Sequence, residues 1–358
     1  MTYAVIMAGG VGTRFWPASR VDCPKQFLKV HGERTLIQST VDRLSSIIPP
    51  ERVFVVTHER YVERTHEQLP DVPLENILAE PISRNTAPCI NFAAVTIAER
   101  DPEAIMVVLP ADHVITHNER FIEVLQAAID RAKEPGSLVT IGIKPSHPAT
   151  GYGYIQFEQH ADGEHDDHPA AHPVRTFAEK PDLATAERFL DSGDFLWNSG
   201  MFIWRADAIL ENLERFLPKT FAAFESVPGS SPGERTSKVR DAFETSESIS
   251  IDYGVMERAA HVYVVPGSFG WNDVGDWKAV YDLAEKDSHG NAVEGQVIVH
   301  DASRNLIQSK EKLLVLVGVH DLVVVETDDA MLICRRDSAQ QVKNVVEYLK
   351  AHQLERYT

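Results

Sequence analysis

Five apolar runs in the first 143 residues, "YAVIM", "RVFVVT", "NILAE", "AIMVVLP" and "SLVTIGI", alternate with helix-like stretches at about 35–47, 59–68, 87–100 and 118–133. Strands apolar on both faces predict an α/β fold whose largely parallel sheet is covered by helices on both sides. In such a sheet ligands gather beyond the carboxyl ends of the strands. The middle is less regular. "GYGYIQFE", "VRTFAEKP", "FLWNSGMFIWRA" and "HVYVVPG" read as strands, and about 206–224 and 233–245 as helices. From about 290 the texture changes to short β runs, "QVIVHD", "NLIQS", "LLVLVG", "DLVVVET" and "AMLICRR", before a final amphipathic helix at about 338–352. The expected division is residues 1–287 as one α/β domain and 288–358 as a small β module ending in a helix.

The first strand runs into "MAGGVGTRFWPASR". A Walker loop would need Lys-Ser or Lys-Thr after the glycines, and a dinucleotide fingerprint would need Gly where Phe15 stands. Two readings stay open. One is a tight strand-to-helix turn. The other is a nest of N–H groups around an anion, with Arg14 adding a forked cation. Lys25 follows in "CPKQF" as a compact point charge behind Pro24. "LPADHVI" ends a buried strand at Asp112, and "GWNDVGDW" offers Asp273 in an aromatic, glycine-rich setting. One carboxylate per segment fits magnesium, which takes one or two protein carboxylates beside substrate phosphates. No H-E-x-x-H or Cys/His cluster competes for a transition metal.

Composition excludes some classes. Thirty-five Lys and Arg stand against 53 Asp and Glu, a formal charge of −18, which argues against nucleic-acid or membrane-surface partners. Three scattered cysteines make no disulfide or zinc pattern, and no apolar run reaches membrane-spanning length. No basic leader precedes the first strand, so a reducing, cytoplasmic location is expected. The histidine-rich "HADGEHDDHPAAH" reads as a solvated hairpin tip, and shortening residues 160–172 is expected to leave activity intact.

Several motifs in order resemble one family. "VIMAGGVGTRFWPASR" with "PKQF" is similar to the nucleotide-sugar pyrophosphorylases. "EPISRNTAPCI", "LPADHVI", "TGYGYI", "FAEKPD", "WNSGMFIW", "SIDYGVMER", "WNDVGDW" and "ETDDAMLICRRDSAQQVK" resemble the mannose-1-phosphate guanylyltransferase group (GDP-mannose pyrophosphorylases) within it. The resemblance implies a Rossmann-like nucleotidyltransferase domain and a left-handed β-helix-like C-terminal module. It implies GTP and mannose 1-phosphate as substrates, Mg2+ as cofactor and GDP-mannose with diphosphate as products, with a homodimer as a possible assembly. Longer members append a phosphomannose isomerase domain, and the transferase activity alone is expected of this chain.

Carried over by position, Ala8, Gly9, Gly10, Gly12 and Thr13 would line the nucleotide, with Arg14 and Lys25 on its phosphates. Asn85, Thr86, Ala87 and Pro88 would form the guanine wall, and Asp112 and Asp273 would hold the metal. Tyr152, Gly153, Glu179 and Asn198 would bind the sugar, with Lys180 on its phosphate. Gly254 stands where the family more often has Ala. Rival readings are a uridylyl- or thymidylyltransferase acting on glucose 1-phosphate and a non-catalytic regulatory paralogue. A dehydrogenase is disfavoured, because the second strand ends in Thr57-His58 rather than in an acid.

Overall fold

The computed structural model describes residues 1–10, 12–158 and 169–358; the expectation for the loop 160–172 falls largely on residues outside that set. Packing divides the chain into two compact units. The first comprises Met1–Gly9, Thr40–Ala111 and Ile115–Trp271, the second Gly10–Ser39, Asp112–Val114 and Asn272–Thr358. Among the described residues no helix is long and apolar enough to cross a membrane.

Strands β1 (Thr2–Ala8), β2 (Val53–His58), β3 (Ile77–Glu80) and β4 (Ile105–Pro110) come first in the chain, followed by the two-residue β5 (Val114–Ile115). Next come β6 (Leu138–Ile143), β7 (Tyr154–Phe157), β8 (His172–Ala178), β9 (Phe195–Arg205), β10 (Val262–Gly267) and the short β11 (Trp271–Asn272). The first unit is built on a nine-stranded sheet in the order β3-β2-β1-β4-β9-β6-β10-β8-β7. Parallel pairing joins β1 to β2 and β4, and β2 to β3. The sheet is mixed: β9 runs antiparallel between β4 and β6, and β8 antiparallel between β10 and β7. The burial of β9 explains its central place: Met201–Trp204 are shut in on both faces. Trp204 and Trp197 are core residues, the former stacked on Phe202 at 5.3 Å.

The helix Thr86–Ala98 is buried all round from Ala87 to Ile97, which removes any amphipathic signal. Asn85, at φ 68°, caps it by accepting from the Thr86 N–H at 2.9 Å. The stretch 206–224 is two helices rather than the expected one. Ala206–Phe216 ends before Pro218, which starts Pro218–Phe224, because a proline suits a first turn and breaks an interior. The helix Leu183–Ser192 follows the "FAEKP" turn, and Asp182 caps it by accepting from the Thr185 N–H at 2.8 Å.

In the second unit, β12 (Ala292–Glu294), β13 (Val297–His300), β14 (Leu306–Gln308), β15 (Leu314–Val317), β16 (Leu322–Glu326) and β17 (Met331–Arg335) follow one another. Parallel ladders β12-β14-β16 and β13-β15 make this a β-helix-like module, closed by antiparallel β17 and a helix at Val342–Ala351. Asn305 links its coils. Fully buried, it donates to Asn291 Oδ1 at 3.0 Å and accepts from the Leu322 N–H at 2.9 Å.

Candidate active site

The glycine loop belongs to the second unit from Gly10 onward. Gly12 sits at φ 72°, ψ 45°, and begins a 3-10 turn at Thr13–Phe15. A Cβ there would collide with the Lys25 Cβ and stand 3.3 Å from its Cγ. Glycine is therefore required at Gly12 twice over, by backbone conformation and by the lysine behind it. Gly10 differs: it is not left-handed, and a Cβ on it would meet none of the described residues within 4 Å. Ser19 Oγ donates to the Gly12 carbonyl at 2.6 Å, and Phe15 packs on Trp277 at 5.3 Å. Trp277 Nε1 donates to the Trp16 carbonyl at 3.1 Å. Thus Trp277, the second tryptophan of "GWNDVGDW", anchors the turn at Phe15 and Trp16 that follows the glycines. Arg14 is exposed, and among the described residues nothing holds its guanidinium.

Lys25 is only 6% exposed. Its ammonium donates to Asp112 Oδ2 at 2.7 Å and to the Asp273 main-chain carbonyl at 2.8 Å, and lies 5.5 Å from the Phe15 ring centre. Two of its three protons are thereby committed. Burial pushes the Asp112 carboxyl up. The Lys25 and His113 charges and the Lys25 hydrogen bond outweigh that and hold it below the usual carboxylate value. Val274, beside Asp273, is fully buried with φ 47°, a strained setting for a β-branched residue. Its N–H donates to Asn272 Oδ1 at 2.7 Å, which helps fix the turn that aims the Asp273 carbonyl at Lys25. Lys25, Asp112 and Asp273 are thus brought together, with the Asp273 main chain rather than its carboxylate meeting the ammonium. The roles of His113 and Val274 were not legible in the sequence.

The remaining candidates belong to the first unit. The Ala8 carbonyl accepts from Thr57 Oγ1 at 3.0 Å. Gly9 is exposed, and a Cβ on it would stand 3.4 Å from Glu80 Oε2. Asn85 is exposed and Thr86 partly so, whereas Ala87 and Pro88 are buried in the first helical turn. Thr86 Oγ1 accepts from the Ile251 N–H at 2.8 Å, and the Ala87 N–H donates to the Ile249 carbonyl at 3.1 Å.

Around β7 and β9 a polar cluster forms. The Asn198 N–H donates to the Gly153 carbonyl at 2.8 Å. Lys180 Nζ donates to Glu179 Oε1 at 2.6 Å, and a Cβ on Gly153 would collide with Glu179 Oε2. Lys180 has φ 47° and its ammonium pKa is raised, chiefly by the Glu179 hydrogen bond. Tyr152 packs edge-on against Trp197 at 5.0 Å and Trp271 at 5.4 Å. Asp252 is the residue that sequence reasoning left out. It opens a π-helical turn at Asp252–Met256 within "SIDYGVMER" and accepts from Asn198 Nδ2 at 2.7 Å. Burial and then Glu179 push its carboxyl up to about 6. In the same turn an Ala Cβ at Gly254 would lie 2.7 Å from Leu217 Cδ1, so the leucine side chain would have to shift to admit it.

The chain belongs to the nucleotidyl transferase family, whose model matches residues 3–290. A second model, described as a MannoseP isomerase/GMP-like beta-helix domain, matches residues 295–349. Within the family the chain groups with the mannose-1-phosphate guanylyltransferases. It is 42% identical over 355 residues to the protein of that name from Escherichia coli (strain K12), covering 98% of this chain and 73% of that one. To the protein of the same name from Klebsiella pneumoniae it is 40% identical over 362 residues, covering 100% and 76%. A solved structure from Thermus thermophilus, described as a "mannose-1-phosphate geranyltransferase", superposes with a TM-score of 0.87 at 33% identity, covering 98% of this chain and 99% of that one.

Proposed function

We infer that this protein joins GTP and α-D-mannose 1-phosphate into GDP-mannose and releases diphosphate. A phosphate oxygen of the sugar phosphate attacks the α-phosphorus in line. The bond from that phosphorus to the α,β-bridging oxygen breaks, and diphosphate leaves with the electron pair. No covalent enzyme intermediate is required. Both reactants are anions, so the protein's task is to neutralise and align them. The observation that carries this reading is the buried Lys25 ammonium, held by Asp112 and the Asp273 carbonyl directly behind Gly12. Its third proton is available to a phosphate oxygen. Arg14, exposed and unpartnered among the described residues, can fork onto another. Glu179 and Asn198 supply the acceptors and donors that hexose hydroxyls need.

Asp112 and Asp273 offer hard carboxylate oxygens, with Asp112 favoured in its ionised form, and this donor set suits magnesium. Bound there, the ion would neutralise charge on the reacting phosphates. The same reading includes the division at 287/288, a homodimer, a cytoplasmic location, and no nucleic-acid or membrane partner. The test is diphosphate release measured for each nucleoside triphosphate against mannose, glucose and fucose 1-phosphates. GTP with mannose 1-phosphate should be fastest. UTP or dTTP with glucose 1-phosphate faster by about tenfold would overturn the assignment, since that is roughly 1.4 kcal/mol of transition-state preference in the wrong direction.

A further inference from the structure

The polar cluster of the first unit contains a carboxylate with no assigned task. Asn198 is fixed from every side but one. Its Oδ1 accepts from the Gly200 N–H at 3.2 Å and lies 3.3 Å from Thr140 Oγ1, whose one proton it shares with the Met201 carbonyl at 3.0 Å, and one Nδ2 proton goes to Asp252 Oδ1 at 2.7 Å. The second Nδ2 proton remains. Glu179 is held by Lys180 on Oε1, and Gly153 leaves room for its Oε2. Asp252 is partly exposed, and among the described residues Asn198 is the one side chain that donates to it. An ionised carboxylate accepts at both oxygens. Asp252 therefore has acceptor capacity left over, beside a donor whose orientation it sets. Two carboxylates flanking an amide and an ammonium suit a polyol, whose hydroxyls both donate and accept, better than a planar base.

We propose that Asp252 is a sugar-contacting residue: one carboxylate oxygen orients Asn198, and the other accepts a hydroxyl of the hexose. This rests on the reading of the protein as a mannose-1-phosphate guanylyltransferase. With Glu179 it makes a two-carboxylate clamp that reads hydroxyl positions on the ring. A hydrogen bond to a charged group contributes roughly 1.5–3 kcal/mol, so losing one hydroxyl at this clamp should reduce kcat/KM by about ten- to a hundredfold.

The test is a cycle between substrate and protein. Wild type and Asp252→Asn are assayed with GTP and with mannose 1-phosphate or its 2-, 3-, 4- and 6-deoxy analogues. In the wild type one analogue should lose about ten- to a hundredfold. In Asp252→Asn that same loss should shrink to about threefold or less, because the charged acceptor is already gone. KM for GTP should stay within about twofold while KM for the sugar phosphate rises. Asp252→Ser is the second variant, used if Asp252→Asn does not fold; it too removes the carboxylate and should remove the same discrimination. Equal losses in wild type and variants for every analogue would overturn the assignment of Asp252 and leave the enzyme's identity intact. A wild type that turns over no mannose 1-phosphate at all would overturn both.

Discussion

Gly10 and Gly12 look equivalent in sequence and are not equivalent in space. At Gly12, alanine must occupy a left-handed conformation and displace Lys25, so Gly12→Ala should lower kcat by at least about a hundredfold, with stability reduced by roughly 1–3 kcal/mol. At Gly10 the described residues leave open space, so Gly10→Ala should fold with an unchanged melting temperature. If the loop wraps phosphate, this second variant should still bind GTP at least about tenfold more weakly. Wild-type GTP affinity in Gly10→Ala would show that no ligand passes over that residue. Asp112 has a double task. Asp112→Ala should cost turnover and also roughly 1–3 kcal/mol of stability, because it strands the Lys25 ammonium while Asp112 itself is more than a third exposed. Denaturant melts of Asp112→Ala beside Asp112→Asn separate the two effects. Glu80 tests burial alone. It is 3% exposed, and burial raises its carboxyl to about 7, with Cys89 opposing through a hydrogen bond. A raised acid stabilises the fold below its unfolded pKa and loses that contribution as pH rises through the folded value. Wild-type stability should therefore decline from pH 4.5 toward 7 on account of this group. Glu80→Gln should flatten the profile and be the more stable protein at pH 8, by up to about 3 kcal/mol. Parallel profiles would mean that Glu80 is not held protonated.

Among the elements, the coils of the β module depend on one buried side chain. Asn305 donates to Asn291 Oδ1 and to the Val319 carbonyl at 3.2 Å, and accepts from the Leu322 N–H. Asn305→Ala leaves those groups unsatisfied in a dry interior and should cost about 2–4 kcal/mol in urea unfolding. A change under about 0.5 kcal/mol would mean that the coils hold by apolar packing alone. The strands of the first half were legible because apolar runs on both faces have few other uses. The short β runs after residue 290 were legible by spacing, and β12 was missed because only Ala292–Glu294 form it. The break at Pro218 was written in the chain as a proline, a signal that weighs little beside periodicity over a long window. The antiparallel course of β9 was not legible. Strand direction is set by the partners, β4 and β6, which lie far from it in sequence.

At the scale of the molecule, linear order conceals which segments pack together. Residues 10–39 and 112–114 join 272–358, so Lys25, Asp112 and Asp273 meet although as many as 248 positions separate them. Their residue types could be read as phosphate and metal chemistry, but the hydrogen bond to the Asp273 main chain could not, because any residue carries a carbonyl. Asp252 went unread for a related reason: in "SIDYGVMER" nothing local marks an aspartate that matters only through Asn198, 54 positions away. A net charge of −18 makes the few committed cations decisive for a reaction between two anions. The most direct measurement uses mannose 1-phosphate carrying 18O in its phosphate, incubated with GTP, magnesium and the protein, with products resolved by 31P NMR. The account predicts GDP-mannose with the label confined to oxygens bonded to the β-phosphorus, including the bridge to the α-phosphorus, and unlabelled diphosphate. Label in the diphosphate, or no GDP-mannose formed, would contradict it.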